Sequence, residues 1–131
     1  GKDPWRFIVV RDKSTLSAIA EGLPNGKMLA GATLGFVVCG DTTAAHGGEV
    51  SYLLQDCSAA IENLLLAAHA VGLGAVWLGV HPREERIDHI RRLFELPETV
   101  LPVACIAAGY PAETKGSRTR YTDEYVHWEK W

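Results

Sequence analysis

Strand-type and helix-type stretches alternate along this chain and predict a single domain of α/β or α+β class. Short runs of β-branched, aromatic and small apolar residues, bounded by Gly or Pro, recur along it. Between them, apolar residues return at helical spacing. At 131 residues and 47% hydrophobic composition, the chain can build one core that buries roughly two thirds of its unfolded surface.

The elements follow in order. The chain opens GKDPWRFIVVRD, and residues 5–10 run at once into β-favouring sequence, unlike the polar, frayed ends of most chains. Asp12 is placed to cap a short helix over about residues 14–20, which Gly22 and Pro24 end. Residues 34–39 (LGFVVC) form a second, buried strand, and residues 40–50 a polar, glycine-rich loop. A long helix is predicted over residues 51–71, on the order of 30 Å at 1.5 Å per residue. Its apolar residues, among them Leu53, Leu54, Cys57, Ile61, Leu64, Leu65 and Ala68, occupy more than one stripe, so the helix should be enclosed on most sides. A domain of this size can hardly enclose it alone, which points to a partner subunit. Residues 74–80 form the third strand. Pro82 sits near the start of an amphipathic helix with Ile87, Ile90, Leu93 and Phe94 inward, and residues 100–108 form the fourth strand. The tail, residues 112–131, carries Tyr121, Tyr125, Val126, Trp128 and Trp131, too many large apolar groups for a solvated linker. Left in water they cost roughly 25 cal/mol per Å² of apolar area, so the tail should dock on another surface.

Several function classes are excluded. A net charge of −3 with interspersed signs leaves no basic face for nucleic acid. Residues 64–80 approach the ~18–20 uncharged residues of a membrane span, but His69 and Gly72-Leu73-Gly74 mark a buried helix turning into a strand. Cys39, Cys57 and Cys105 are odd in number and widely spaced, which favours buried reduced thiols of a cytoplasmic protein over a disulfide framework. No histidine stands at metal-ligand spacing from another His or a Cys, so no metal site is expected. Cys57, set among Leu54, Ala60 and Ile61, reads as a packed thiol rather than a nucleophile, and Asp56 and Glu62 have no partner carboxylate. Gly72-Leu73-Gly74 precedes a strand and has Trp77 where a dinucleotide fingerprint needs its third glycine. The remaining candidate is Lys115-Gly116-Ser117-Arg118-Thr119-Arg120, either a solvated basic loop or a grip in which Arg forks converge on a phosphate.

Taken in order, the segments resemble one family. Pro4-Trp5-Arg6-Phe7-Ile8-Val9-Val10 is similar to the Gln-Pro-Trp-x-Phe-x-Val segment of the nitroreductase family of FMN-dependent oxidoreductases. Residues 56–68 (DCSAAIENLLLAA) resemble its central dimer helix, which leads into Gly72-Leu73-Gly74-Ala75-Val76-Trp77-Leu78-Gly79. Ala108-Gly109-Tyr110-Pro111, the basic cluster and Val126-His127-Trp128-Glu129-Lys130-Trp131 resemble its closing segment. The resemblance implies an α+β, three-layer sandwich with a mixed central sheet and a long dimer helix. It implies FMN as cofactor, NAD(P)H as donor, and ping-pong hydride transfer to a nitroaromatic, quinone or similar small acceptor. In such a site Leu78 and Gly79 offer backbone donors near the flavin N5, Trp77 and Pro4-Trp5 pack nearby, and Arg118 and Arg120 hold the phosphate. Asp3 stands where the family has Gln, and Gly1 where it often has Asn. The family also has a further N-terminal helix with an Arg-rich, Ser-containing segment, so the chain reads as N-terminally truncated. A homodimer is implied, with the tail reaching across it. The alternative is a non-catalytic flavin-binding or structural dimer of the same fold.

Overall fold

The apolar runs pair into one four-stranded sheet in the computed structural model, which describes residues 1–131. The strands β1 (Trp5–Val10), β2 (Leu34–Asp41), β3 (Gly74–Gly79) and β4 (Val100–Gly109) lie in the order β1-β2-β4-β3. All three pairings are antiparallel. The mixed sheet implied by the resemblance is therefore antiparallel throughout within one chain, since β4 inserts between β2 and β3 and runs against both.

Four helices complete three layers. α1 (Lys13–Glu21), the short α2 (Met28–Gly31) and α4 (Glu84–Leu93) cover one face, and α3 (Val50–Ala70) lies on the other. Alternation along β2 serves both cores. Val37 and Cys39 join Leu16, Ile19, Leu29, Ile87 and Ile90, while Val38 joins Leu53, Cys57 and Ile61. Two glycines of β2 let helices approach closely. A Cβ at Gly35 would lie 2.6 Å from Leu16 Cδ2, and one at Gly40 would lie 2.2 Å from Leu53 Cδ2.

Asp12 caps α1 as expected: its carboxylate accepts from the Thr15 amide and hydroxyl at 2.8 Å each, and from the Ser14 hydroxyl. Those donors, Ser14 foremost, hold its pKa down to about 2. α4 buries Ile87 and Ile90 and places Glu84 and Glu85 in its first turn and Arg91 and Arg92 in its last, in accord with the helix dipole.

The element bounds need correction. The loop over residues 40–50 is shorter, because Gly40 and Asp41 extend β2, His46–Gly48 form a 3₁₀ turn and Val50 opens α3. α2 was not anticipated; four residues carry no readable period. α3 buries a single stripe, Leu53, Cys57, Ile61 and Ala68, and is not enclosed within one copy. The tail does not dock on its own body. It is exposed almost throughout, with one 3₁₀ turn at Asp123–Tyr125, and Trp131 is fully exposed. No helix is long and apolar enough to cross a membrane.

Candidate functional site

The end of β3 is shaped by an irregularity in its neighbour. The β2–β4 register shifts between Val38 and Cys39, which leaves Val103 as an extra residue. The Val103 carbonyl accepts from both Val80 and His81 amides at 3.1 Å. Since Val80 points its amide at β4, strand alternation turns that of Gly79 outward, at the open edge of the sheet. On that side Arg86 Nη1 donates to the Gly79 carbonyl at 2.8 Å. A Cβ at Gly79 would meet nothing within 4 Å, so the backbone is approachable there. Leu78 turns into the core, and Trp77 stays part-exposed on the opposite face of the sheet. Trp77, Leu78, Gly79 and Arg86 line a cavity of about 120 Å³ together with Leu23, Asn25 and Gly26.

The start of β1 forms a second depression. Asp3 and Trp5 line an open space of about 550 Å³ with Lys2, His46, Tyr52 and Asp56. The His46 and Tyr52 rings meet edge to face there, with centroids 5.2 Å apart. Pro4 is fully buried, and its carbonyl accepts from the Asp41 amide at 2.8 Å. It anchors the strand start and presents no side-chain surface to a ligand. Arg6 ties the same turn together, donating from Nη1 to the carbonyls of Asp3 and Trp5 at 2.8 Å each. Its Nη2 meets the Asp41 carboxylate at 3.1 Å. The Thr43 hydroxyl, with Arg6 adding to it, holds the Asp41 pKa below the usual carboxylate value.

The two groups of residues share one end of the sheet. β1 and β3 are opposite edges and run antiparallel, so the start of one and the end of the other lie at the same end. Three inter-strand steps separate those edges, roughly 14 Å. A ligand that touches both must lie across that end. Arg118 and Arg120 belong to neither cavity; both are exposed, in a segment that is neither helix nor strand, with no side-chain hydrogen bond or ion pair to the body. Neighbouring Lys115 pairs with Glu113 at 2.8 Å.

The thiols are inert. Cys39, Cys57 and Cys105 are free and buried, and burial pushes their pKa values up to about 12, 11 and 12. No group of three or more His, Cys, Asp or Glu side chains is placed to hold a metal ion. Arg86 is the residue that sequence reasoning missed, since it reads as one more charge on the amphipathic α4. Its position just beyond the third strand was the available signal.

Residues 20–110 match the Nitroreductase family. The chain belongs to that family. This nitroreductase-family chain is 47% identical over 128 residues to a protein of Methanothermobacter thermautotrophicus provisionally named NADH dehydrogenase/NAD(P)H nitroreductase. That alignment covers 98% of this chain and 66% of the archaeal one. A crystal structure with the same provisional name from Bacteroides thetaiotaomicron is similar at a TM-score of 0.91 and 41% identity, covering 100% of this chain and 76% of that one. A provisionally named nitroreductase of Desulfovibrio desulfuricans, solved in complex with FMN, is similar at a TM-score of 0.79 and 34% identity, covering 98% and 73%. The chain therefore spans about two thirds of the archaeal relative's length.

Proposed function

We propose that this chain is an FMN-dependent oxidoreductase that takes hydride from NAD(P)H and passes electrons to a small acceptor, a nitroaromatic or a quinone, by a ping-pong mechanism. The observation that carries this reading is the outward Gly79 amide beside the Arg86 cation at the open sheet edge. It stands in a chain 34% identical to a protein solved with FMN.

The residues present fit such a group. Gly79 leaves a backbone donor uncovered, and the Arg86 Nε is buried with no acceptor of its own. The protein offers no activated thiol, so the redox chemistry belongs to the cofactor. When bound, FMN supplies hydride acceptance at N5 and onward electron delivery. Gly79, with Leu78, would hold the N5 edge through backbone groups, and Trp77 would pack nearby. Asp3 and Trp5 would border the ring from the start of β1, with Pro4 fixing that start. Arg118 and Arg120 would hold the phosphate through charge-assisted forks.

The same reading makes the protein a cytoplasmic homodimer. Tyr52 and Leu66 of α3 and Phe7 and Val9 of β1 are apolar and exposed, and so are Tyr125, Trp128 and Trp131 of the tail. A second copy would cover them, with residues 112–131 crossing to the partner and bringing Arg118 and Arg120 to a flavin at the interface.

Titration of the purified protein with FMN, followed by anaerobic addition of NADH or NADPH, tests this. Uptake of FMN and bleaching of its absorbance by either donor is expected. Bound FMN that neither donor bleaches would favour the non-catalytic dimer, and failure to take up FMN would overturn both.

A further inference from the structure

Arg86 is an unusual cation. Half-buried guanidinium groups ordinarily collect carboxylates. Glu84 and Glu85 stand in the same helical turn, yet the chain's ion pairs join Arg6 to Asp41 and Lys115 to Glu113, and none includes Arg86. Its one side-chain hydrogen bond goes to the Gly79 carbonyl, and its Nε is buried without an acceptor. Leaving such a donor unpaired is costly, so the arrangement calls for an explanation beyond packing.

Gly79 is the residue that would need holding. It is the last residue of an edge strand, its outward groups have no ladder partner, and a Cβ in its place would meet nothing within 4 Å. Glycine has the widest backbone freedom, so this peptide would otherwise be free to turn. A donor aimed before the ligand arrives costs no reorganisation during reaction.

We infer that Arg86 is a positioning residue that pins the Gly79 carbonyl, and with it the outward Gly79 amide, and that its uncompensated charge favours the reduced form of a flavin bound at that edge. The inference rests on the FMN reading proposed above. Arg86 neither carries nor transfers the electrons. It fixes a donor and sets a local positive potential, and the attraction it exerts grows with each negative charge the ring gains.

The test is Arg86→Met in the full chain, with a thermal melt to confirm folding and Arg86→Gln as the replacement should the Met variant not fold. In the FMN-free protein, ¹⁵N relaxation should show the Gly79 order parameter falling from the rigid range near about 0.85 to below about 0.6. In the FMN-loaded protein, binding of reduced relative to oxidised FMN should weaken at least tenfold, a midpoint potential lower by about 30 mV for a two-electron couple. A merely structural clamp between α4 and β3 would leave that ratio alone. Either readout at its parental value in a folded variant overturns the inference. Should the protein take up no FMN, the proposed function fails, and the FMN-free readout still decides whether Arg86 pins Gly79.

Discussion

Three helices close one face of the sheet, whereas α3 alone lies on the other. On the closed face Leu16, Ile19, Leu29 and Ile90 are at most 1% exposed. On the α3 face, Phe7 and Val9 keep 42% and 58% of their surface in water, and Tyr52 and Leu66 keep 49% and 59%. Both faces draw on the same strands and the same kinds of side chain. One copy therefore finishes the core on the closed face and leaves apolar surface on the α3 face in water. The unclosed face and the outlying tail belong to the same problem, because Trp128 and Trp131 find no surface on their own protomer either.

The two faces should respond alike at their fully buried side chains. Ile61 on α3 and Ile90 on α4 are both fully buried, one in each core. Replacing either with Ala should cost about 2–5 kcal/mol in urea unfolding. A cheap Ile61→Ala beside a costly Ile90→Ala would mean that α3 is not seated on the sheet.

The proposed phosphate grip should respond on a comparable scale. If Arg118 and Arg120 hold the phosphate as proposed, replacing both with Ala removes two charge-assisted contacts worth about 1.5–3 kcal/mol each, so FMN affinity should fall at least roughly 100-fold. Flavin fluorescence titration reads this directly, and parental affinity in the double variant would assign the phosphate elsewhere.

Leu66→Lys sharpens the contrast within a single helix. Leu66 faces water in one copy, so the substitution should leave the circular dichroism spectrum unchanged while shifting the protein from dimer to monomer in size-exclusion chromatography. An unchanged dimer would show that the partner covers another surface.

The smallest effect lies at Asp12, at the start of a helix on the closed face. Its pKa is lowered to about 2 by Ser14 and Thr15, below the ordinary value of about 3.9. A depressed carboxylate contributes stability that is present above the unfolded pKa and lost as pH falls through the folded one. Melting curves of parent and Asp12→Asn should therefore differ most above pH about 4 and converge towards pH 2. A constant difference across that window would remove the charge from the cap.

Much of the fold was legible because local chemistry and tertiary context agreed. The run WRFIVV, the Asp12 cap and the inward Ile87 and Ile90 each have one physical solution, and the structure adopts it. Gly40 misled, since glycine usually signals a loop. Here its missing Cβ admits Leu53, a contact 13 residues away in sequence that no local pattern reveals. The candidate site was legible in part. Trp77, Leu78 and Gly79 do line a cavity, but Asp3 and Trp5 lie at the opposite sheet edge, and sequence order says nothing of that spacing. Arg86 was invisible because its function lies in which carbonyl it reaches, and an amphipathic pattern records only which side of the helix it occupies.

The proposed dimer completes a flavin site between two copies of this chain. Sedimentation velocity of the FMN-loaded protein, followed at flavin absorbance, tests it most directly. Flavin should sediment with a dimer, at about one FMN per chain. Flavin sedimenting with a monomer, or left behind as free cofactor while the protein sediments, would contradict it.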